Sequence, residues 1–208
     1  MRSMTYAERR HGGVALTWVQ WPMQSIPQAL ADLIANAPMD EFAAGATLIA
    51  ADARAAPLWF LHDGLVRLYA LAADGGSYNL GFHGGGEFVS GRLAFRDGRV
   101  CCGEHALGVE ALQATRASAL SLLDIDRLRH DDAAVSAWLL DRLLEMNAAR
   151  LGREADLAQR SATERYQELL RKRPTIIGQV PLHQIAAWLG ITPVALSRIR
   201  RRLANSAL

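Results

Sequence analysis

Residues 180–203 read VPLHQIAAWLGITPVALSRIRRRL. Ile185, Ala186 and Leu189 fall at core-facing helical spacing before Gly190, and Ile191, Leu196 and Ile199 do so after it. A small residue four positions before a glycine lets two helices cross closely, and the glycine makes the turn between them. That register is the signature of a helix-turn-helix. Thr192 is placed to cap the second helix, and Pro193 falls in its first turn, where a missing N–H is harmless. On a helical wheel Leu196, Ile199 and Leu203 face inward, and Val194, Ser197, Arg198, Arg201 and Asn205 lie opposite. Arg200 and Arg202 lie on the flanks, nearer to where phosphates would run. The expected second helix, 192–204, carries no acid. A solvated helix of ordinary type mixes acids with bases for i,i+4 pairing, so this one reads as a helix that enters a major groove. Arginine can grip a guanine edge with two bonds, serine can donate or accept, and flanking arginines can hold phosphates. The candidate DNA-contacting residues are Thr192, Val194, Ser197, Arg198, Arg200, Arg201 and Arg202, with His183 from the first helix.

The charge distribution agrees. From Gln159 onward there are nine basic and two acidic residues, net +7, while residues 1–158 carry net −5. A basic end on an acidic body is the footprint of a polyanion partner. The 208 residues, half of them hydrophobic, suffice for one large folded domain or two modest ones. Cys101 and Cys102 are adjacent and staple nothing distant, which fits a reducing, cytoplasmic setting. No signal-peptide pattern opens the chain and no run of about eighteen apolar residues occurs, so no membrane partner is expected.

Ahead of the helix-turn-helix the pattern falls into three regions. Residues 1–40 read as partly helical around SIPQALADLIANA, ending near Pro38. From Glu41 to Asp126 short strands alternate with turn residues. Asp63-Gly64, Asp74-Gly75-Gly76 and Gly84–Gly86 are hairpin-grade turns, which argues for an antiparallel sandwich or roll. A helical stretch of about 126–161 follows. Its stripe of Leu140, Leu144, Leu151, Ala155 and Ala158, with Leu139, Leu143 and Met146 beside it, is more apolar surface than one small domain needs. The simplest partner is the same helix in a second copy. Ser161 and Glu164 then form a capping box that opens TERYQELLRKR, closed by Pro174.

This layout, over about residues 40–205, resembles the Crp/Fnr superfamily of bacterial transcription regulators. HDGLVRLYALAADGGSYNLGFHGGGEFVSG looks like the β-roll sensor, EALQATRASALSLLDIDRL like the last sensor strands running into the dimer helix, and ERYQELLRKRPTIIGQVPLHQIAAWLGITPVALSRIRRRL like the DNA-binding end. The resemblance implies an α+β fold: a jelly-roll-like antiparallel β-roll sensor over 1–125 with an N-terminal helical segment, a long dimerisation helix over 126–161, and a helix-turn-helix domain over 162–208. The sequence ends at Leu208, so the full wing that often follows the recognition helix is not expected. The resemblance further implies a homodimer on a palindromic double-stranded DNA site and contact with RNA polymerase, and leaves a small-molecule effector open.

The departures bear on that effector. Relatives that bind cyclic AMP carry F-G-E-L followed by R-S/T-A, whose Glu holds the ribose and whose Arg and backbone amides hold the cyclic phosphate. Here FVSGRLAF puts Gly91 where the Glu would fall, and VCCGEHA supplies no Arg-Ser-Ala, so a cyclic AMP sensor is not expected. Candidate effector contacts are Gly85, Gly86, Glu87, Ser90, Gly91 and Arg92, through the amides of the glycine turn and a cationic side chain. Val194 stands where many relatives carry a cytosine-reading Glu. An iron–sulfur cluster needs about four cysteines and two are present. Cys101, Cys102 and His105 lack a fourth metal ligand, and His62 and His83 read as packing or surface residues rather than haem ligands. Two other classes stay open: a cupin-like metal-binding β-roll enzyme, whose clustered histidines are missing, and a ligand-binding module without DNA binding, which would lack the basic helix-turn-helix.

Overall fold

The computed structural model describes residues 26–53, 57–71, 75–91, 93–96, 99–102, 107–174 and 176–205, and for 93–96 and 99–102 the backbone alone. A short helix, α1 (Gln28–Asn36), leads into ten strands: β1 (Met39–Phe42), β2 (Thr47–Ile49), β3 (Leu58–Asp63), β4 (Leu65–Leu71), β5 (Ser77–Gly84), β6 (Phe88–Val89), β7 (Leu93–Arg96), β8 (Arg99–Cys102), β9 (Leu107–Ala111) and β10 (Thr115–Leu120). Six helices follow: α2 (Leu122–Asp131), α3 (Ala133–Gln159), α4 (Ala162–Lys172), α5 (Ile176–Gln179), α6 (Leu182–Leu189) and α7 (Pro193–Asn205). The strands form two four-stranded antiparallel sheets, ordered β1-β10-β3-β6 and β2-β9-β4-β5, with β7 and β8 as a separate hairpin. This is the α+β roll with a helical end that the pattern of turns and periodicities suggested.

Strand alternation distributes the apolar residues over three packing layers. Trp59 and Leu61 of β3 point between the sheets, where they meet Leu48, Ile49, Val66, Val89, Val109, Ala111 and Ala117. Leu58 and Phe60 of the same strand point the other way. They pack with Leu120 under Leu30 and Ile34 of α1, Ile125 of α2 and Val135 of α3. On the outer face of the second sheet Leu65 and Phe82 join a cluster otherwise drawn from the C-terminal helices, including Tyr166, Leu169, Ile185, Trp188, Leu189 and Leu196. The helical end thus shares its core with the roll. The tight turn between β3 and β4 depends on Gly64, whose φ is +90°. A Cβ there would sit 2.3 Å from Thr115 Oγ1 and 2.5 Å from Ala114 O, so any larger residue collides with β10.

The stretch expected as one helix over 126–161 is two. Asp132, in extended backbone at φ −128°, ψ 111°, ends α2 and starts α3. Its N–H closes on Leu128 O at 2.9 Å, and its carboxylate accepts from Ala134 N at 2.7 Å and Val135 N at 3.3 Å. The cap satisfies orphan amides of α3, while apolar periodicity runs through the break and conceals it. Along α3 Val135 and Ala149 are buried, whereas Leu140, Leu143, Leu144, Met146 and Leu151 are between 47% and 59% exposed. No described helix is long and apolar enough to cross a membrane.

Candidate nucleic-acid interface

The helix-turn-helix consists of α6, a turn at Gly190, and α7. Gly190 takes the left-handed conformation, φ 71°, ψ 33°, which glycine adopts without a Cβ penalty. Ile191 N donates across the turn to Ala186 O at 3.0 Å, closing the carbonyl end of α6. Ala186 itself is fully buried. Thr192 Oγ1 accepts from Ala195 N at 3.2 Å, and α7 begins at Pro193. Leu196 and Ile199 are buried and Leu203 is partly so, as the wheel requires. Below the motif α4 opens on the capping box: Glu164 N donates to Ser161 Oγ at 3.3 Å and Ser161 N donates to Glu164 Oε2 at 2.8 Å. The Ser161 hydroxyl, and next its amide, hold the Glu164 carboxyl below the usual range. Gly190→Ala would meet only Leu157 Cδ2, at 3.6 Å, so its cost is conformational. It is expected to lower stability by about 1–2 kcal/mol, read as an earlier urea midpoint with an unchanged slope.

The outer surface of this module is polar and cationic. His183, Thr192, Val194, Ser197, Arg198, Arg200, Arg201 and Arg202 are all exposed. Among the described residues Arg198, Arg200 and Arg201 have no hydrogen-bond or ion-pair partner. Surface arginines elsewhere are paired: Arg142 with Glu145, Arg150 with Glu154, Arg160 with Asp156, and Arg171 with Glu168. Arg202 donates to Thr163 Oγ1 at 2.6 Å, tying the end of α7 to α4. The unmatched positive charge is therefore concentrated on one helix that faces solvent.

The inner surface holds polar residues that sequence reasoning passed over. Gln184 of α6 is 8% exposed, against the outer face of the second sheet. Its Oε1 accepts from Arg67 Nη1 at 2.9 Å and from Asn79 Nδ2 at 2.8 Å, and its backbone carbonyl accepts from Asn79 Nδ2 at 2.8 Å. Arg67 also donates to Asn79 Oδ1 at 3.1 Å and pairs with Glu110 Oε2 at 2.9 Å. Arg153 of α3 donates from one Nη2 to Asn79 O at 3.1 Å and to Trp188 O at 2.8 Å, and lies 4.5 Å over the Trp188 ring. Burial first, and the Arg165 charge second, lower the Arg153 pKa to about 10. Arg165 Nη2 donates to Leu189 O at 2.9 Å, so two arginines terminate α6 where its dipole is negative.

Of the proposed effector residues, Gly85, Gly86 and Glu87 lie in the β5–β6 turn, and Ser90 and Gly91 directly follow β6. Gly86 N donates to Leu61 O at 2.7 Å and Glu87 N to Gly84 O at 3.2 Å. The Glu87 side chain is buried, 3.0 Å from His83 Nδ1. A Cβ on Gly85 would lie 2.9 Å from His62 O, and one on Gly91 2.6 Å from Leu107 O. Ser90 is partly buried. Arg92 and His105 lie outside the described residues, as do the side chains of Cys101 and Cys102.

By sequence the chain matches no family model and no curated protein. By structure it is similar to a transcriptional regulator of the Crp/Fnr family from Eubacterium rectale, at 15% identity over 90% of this chain and 88% of that one, TM-score 0.66. It is likewise similar to FixK2 from Bradyrhizobium japonicum, at 21% identity over 82% and 86%, TM-score 0.64. A third is the c-di-GMP-responsive global regulator CLP of Xanthomonas campestris, at 19% identity over 87% and 93%, TM-score 0.63. The chain has the fold of the Crp/Fnr regulators.

Proposed function

We propose that this protein is a DNA-binding transcription regulator. It acts as a homodimer on a palindromic promoter site, inserting α7 into successive major grooves. The observation that carries this reading is the unpaired arginine face of α7, on a chain whose other surface arginines are largely matched by acids. The fold shared with Crp/Fnr regulators supports it, and the exposed leucine stripe of α3 supplies a face for the second copy. Thr192, Val194, Ser197, Arg198, Arg200, Arg201, Arg202 and His183 form the DNA-contacting set, and RNA polymerase is the downstream partner. Selection of bound duplexes from random DNA tests the proposal; recovery of no palindromic consensus would refute it.

Arg202 works as a phosphate contact in this scheme, since its bond to Thr163 holds it at the flank of α7. Arg202→Ala is expected to weaken operator and scrambled DNA alike. The slope of log affinity against log salt should fall by about one unit. Titrations at several salt concentrations measure it.

Cyclic AMP is not the ligand of the β-roll in this reading. At Gly91 a ribose-holding side chain has no room, because even a Cβ would lie 2.6 Å from Leu107 O. Calorimetry with cyclic AMP and cyclic GMP is expected to give no heat at micromolar ligand.

A further inference from the structure

We infer that the buried junction of Gln184, Arg67, Asn79 and Arg153 is a positioning device that sets the half-site spacing this regulator recognises. The inference rests on the DNA-binding reading above and extends it to the interior of the protein.

The argument starts from phase. On α6 Ile185, Ala186, Trp188 and Leu189 are buried with Gln184 among them. A glutamine on a buried surface costs free energy unless its groups are bonded. Here two donors from the roll converge on its Oε1, and Asn79 also reaches its backbone carbonyl. Apolar contacts between Leu65, Phe82 and the helices hold the module against the sheet, but they are non-directional. Hydrogen bonds to a single oxygen fix rotation and register, which apolar packing alone leaves soft. Arg153 adds the third body. From the long helix it bridges a β5 carbonyl to the last turn of α6, and its guanidinium lies over Trp188. Roll, long helix and helix-turn-helix therefore meet at one set of bonds that specifies one orientation.

In a two-fold dimer the orientation of each module on its long helix determines how far apart, and at what angle, the two recognition helices stand. Half-sites lie about one turn, 10–10.5 base pairs, apart, so one added base pair rotates a half-site by about 34°. A rigidly held module discriminates against that change, and a loosely held one follows it. None of the four junction residues lies on the outward face of α7, so they act on spacing and leave base preference alone.

The test uses the full-length protein and its selected operator, with palindromes whose spacer is lengthened or shortened by one base pair. Wild type is expected to lose about tenfold in affinity on either change, the scale of one mismatched pair. Gln184→Leu removes both accepted bonds at similar volume. It should keep the wild-type base preference and affinity on a single half-site, yet lose less than about threefold on a spacer change. Gln184→Glu retains an acceptor for Arg67 and Asn79 and should restore the steep spacing preference. Asn79→Ser, which keeps an acceptor for Arg67 but loses the amide that bridges to α6, should behave as Gln184→Leu does. Hydrogen exchange without DNA should be faster in α6 and β5 of both loosened variants. Steep spacing discrimination in Gln184→Leu and Asn79→Ser, or unchanged exchange at these elements, overturns the inference. A wild type that binds no duplex fails the proposed function instead, so the two failures are distinct.

Discussion

Leu144→Glu combined with Leu151→Glu is expected to yield a monomer that loses tight binding to the operator. Both leucines are more than half exposed on α3, at 59% and 55%. Burying each against a second copy would contribute about 1.5–3 kcal/mol, and two-fold symmetry doubles the count to four leucines per dimer. The substitution removes that term and sets four carboxylates into an apolar seam, where each desolvated charge costs several kcal/mol. The fold of each subunit should survive, because the buried residues of α3, Val135 and Ala149, lie apart from this stripe. Circular dichroism should thus be unchanged while sedimentation reports half the mass. Operator affinity should collapse to that of a single half-site. A wild-type protein that sediments as a monomer would remove the basis of the homodimer.

The second large effect is expected at Arg198. It is exposed beside Ser197 on the outward face of α7, one turn into the helix, with no acid or carbonyl engaging it among the described residues. A side chain there can reach base edges, and a bidentate bond to guanine is worth about 1–3 kcal/mol of discrimination. Arg198→Ala should therefore lower affinity for the selected operator by a factor between about five and 150. The loss should be confined to operators that keep the guanine, flattening discrimination among variants at that position. Binding to scrambled DNA should change little beyond the small electrostatic share. Val194, 61% exposed and without a hydrogen bond to offer, should leave its facing base pair weakly specified unless a thymine methyl packs on it. If Arg198→Ala loses only the uniform, salt-dependent part, the reading of sequence lies elsewhere on the module.

The helix-turn-helix was legible because several local constraints coincide at Gly190, Thr192 and Pro193, and each is a backbone requirement that a residue type discloses. The roll was legible through its turns, since Asp63-Gly64 separates β3 from β4 and the glycines before Glu87 separate β5 from β6. Other parts were hidden for identifiable reasons. Asp132 breaks the long helix through a cap that leaves the apolar period intact on both sides. Strand β1 shows no alternation, being exposed at three of its four residues. The Gln184 junction was invisible because Gln184 lies 117 and 105 residues from Arg67 and Asn79, which sit on the paired strands β4 and β5, and each is polar at a position that reads as solvent-facing. Their burial comes from helix α6 lying on the sheet, and no local pattern encodes that docking.

Leu65 and Phe82, two strand residues packed among the C-terminal helices, bear on modularity. A fragment of about 45 residues has little apolar surface to spare and is marginal as an independent unit. Cut from the roll, the fragment 162–208 would present to water the pocket that these two side chains fill. Grafting it onto a different sensor would require the recipient to supply a leucine and a phenylalanine at matching places on its outer sheet. The two halves of the molecule are therefore expected to accept exchange as a pair and to resist it singly, so a chimera should carry β4 and β5 along with the C-terminal helices.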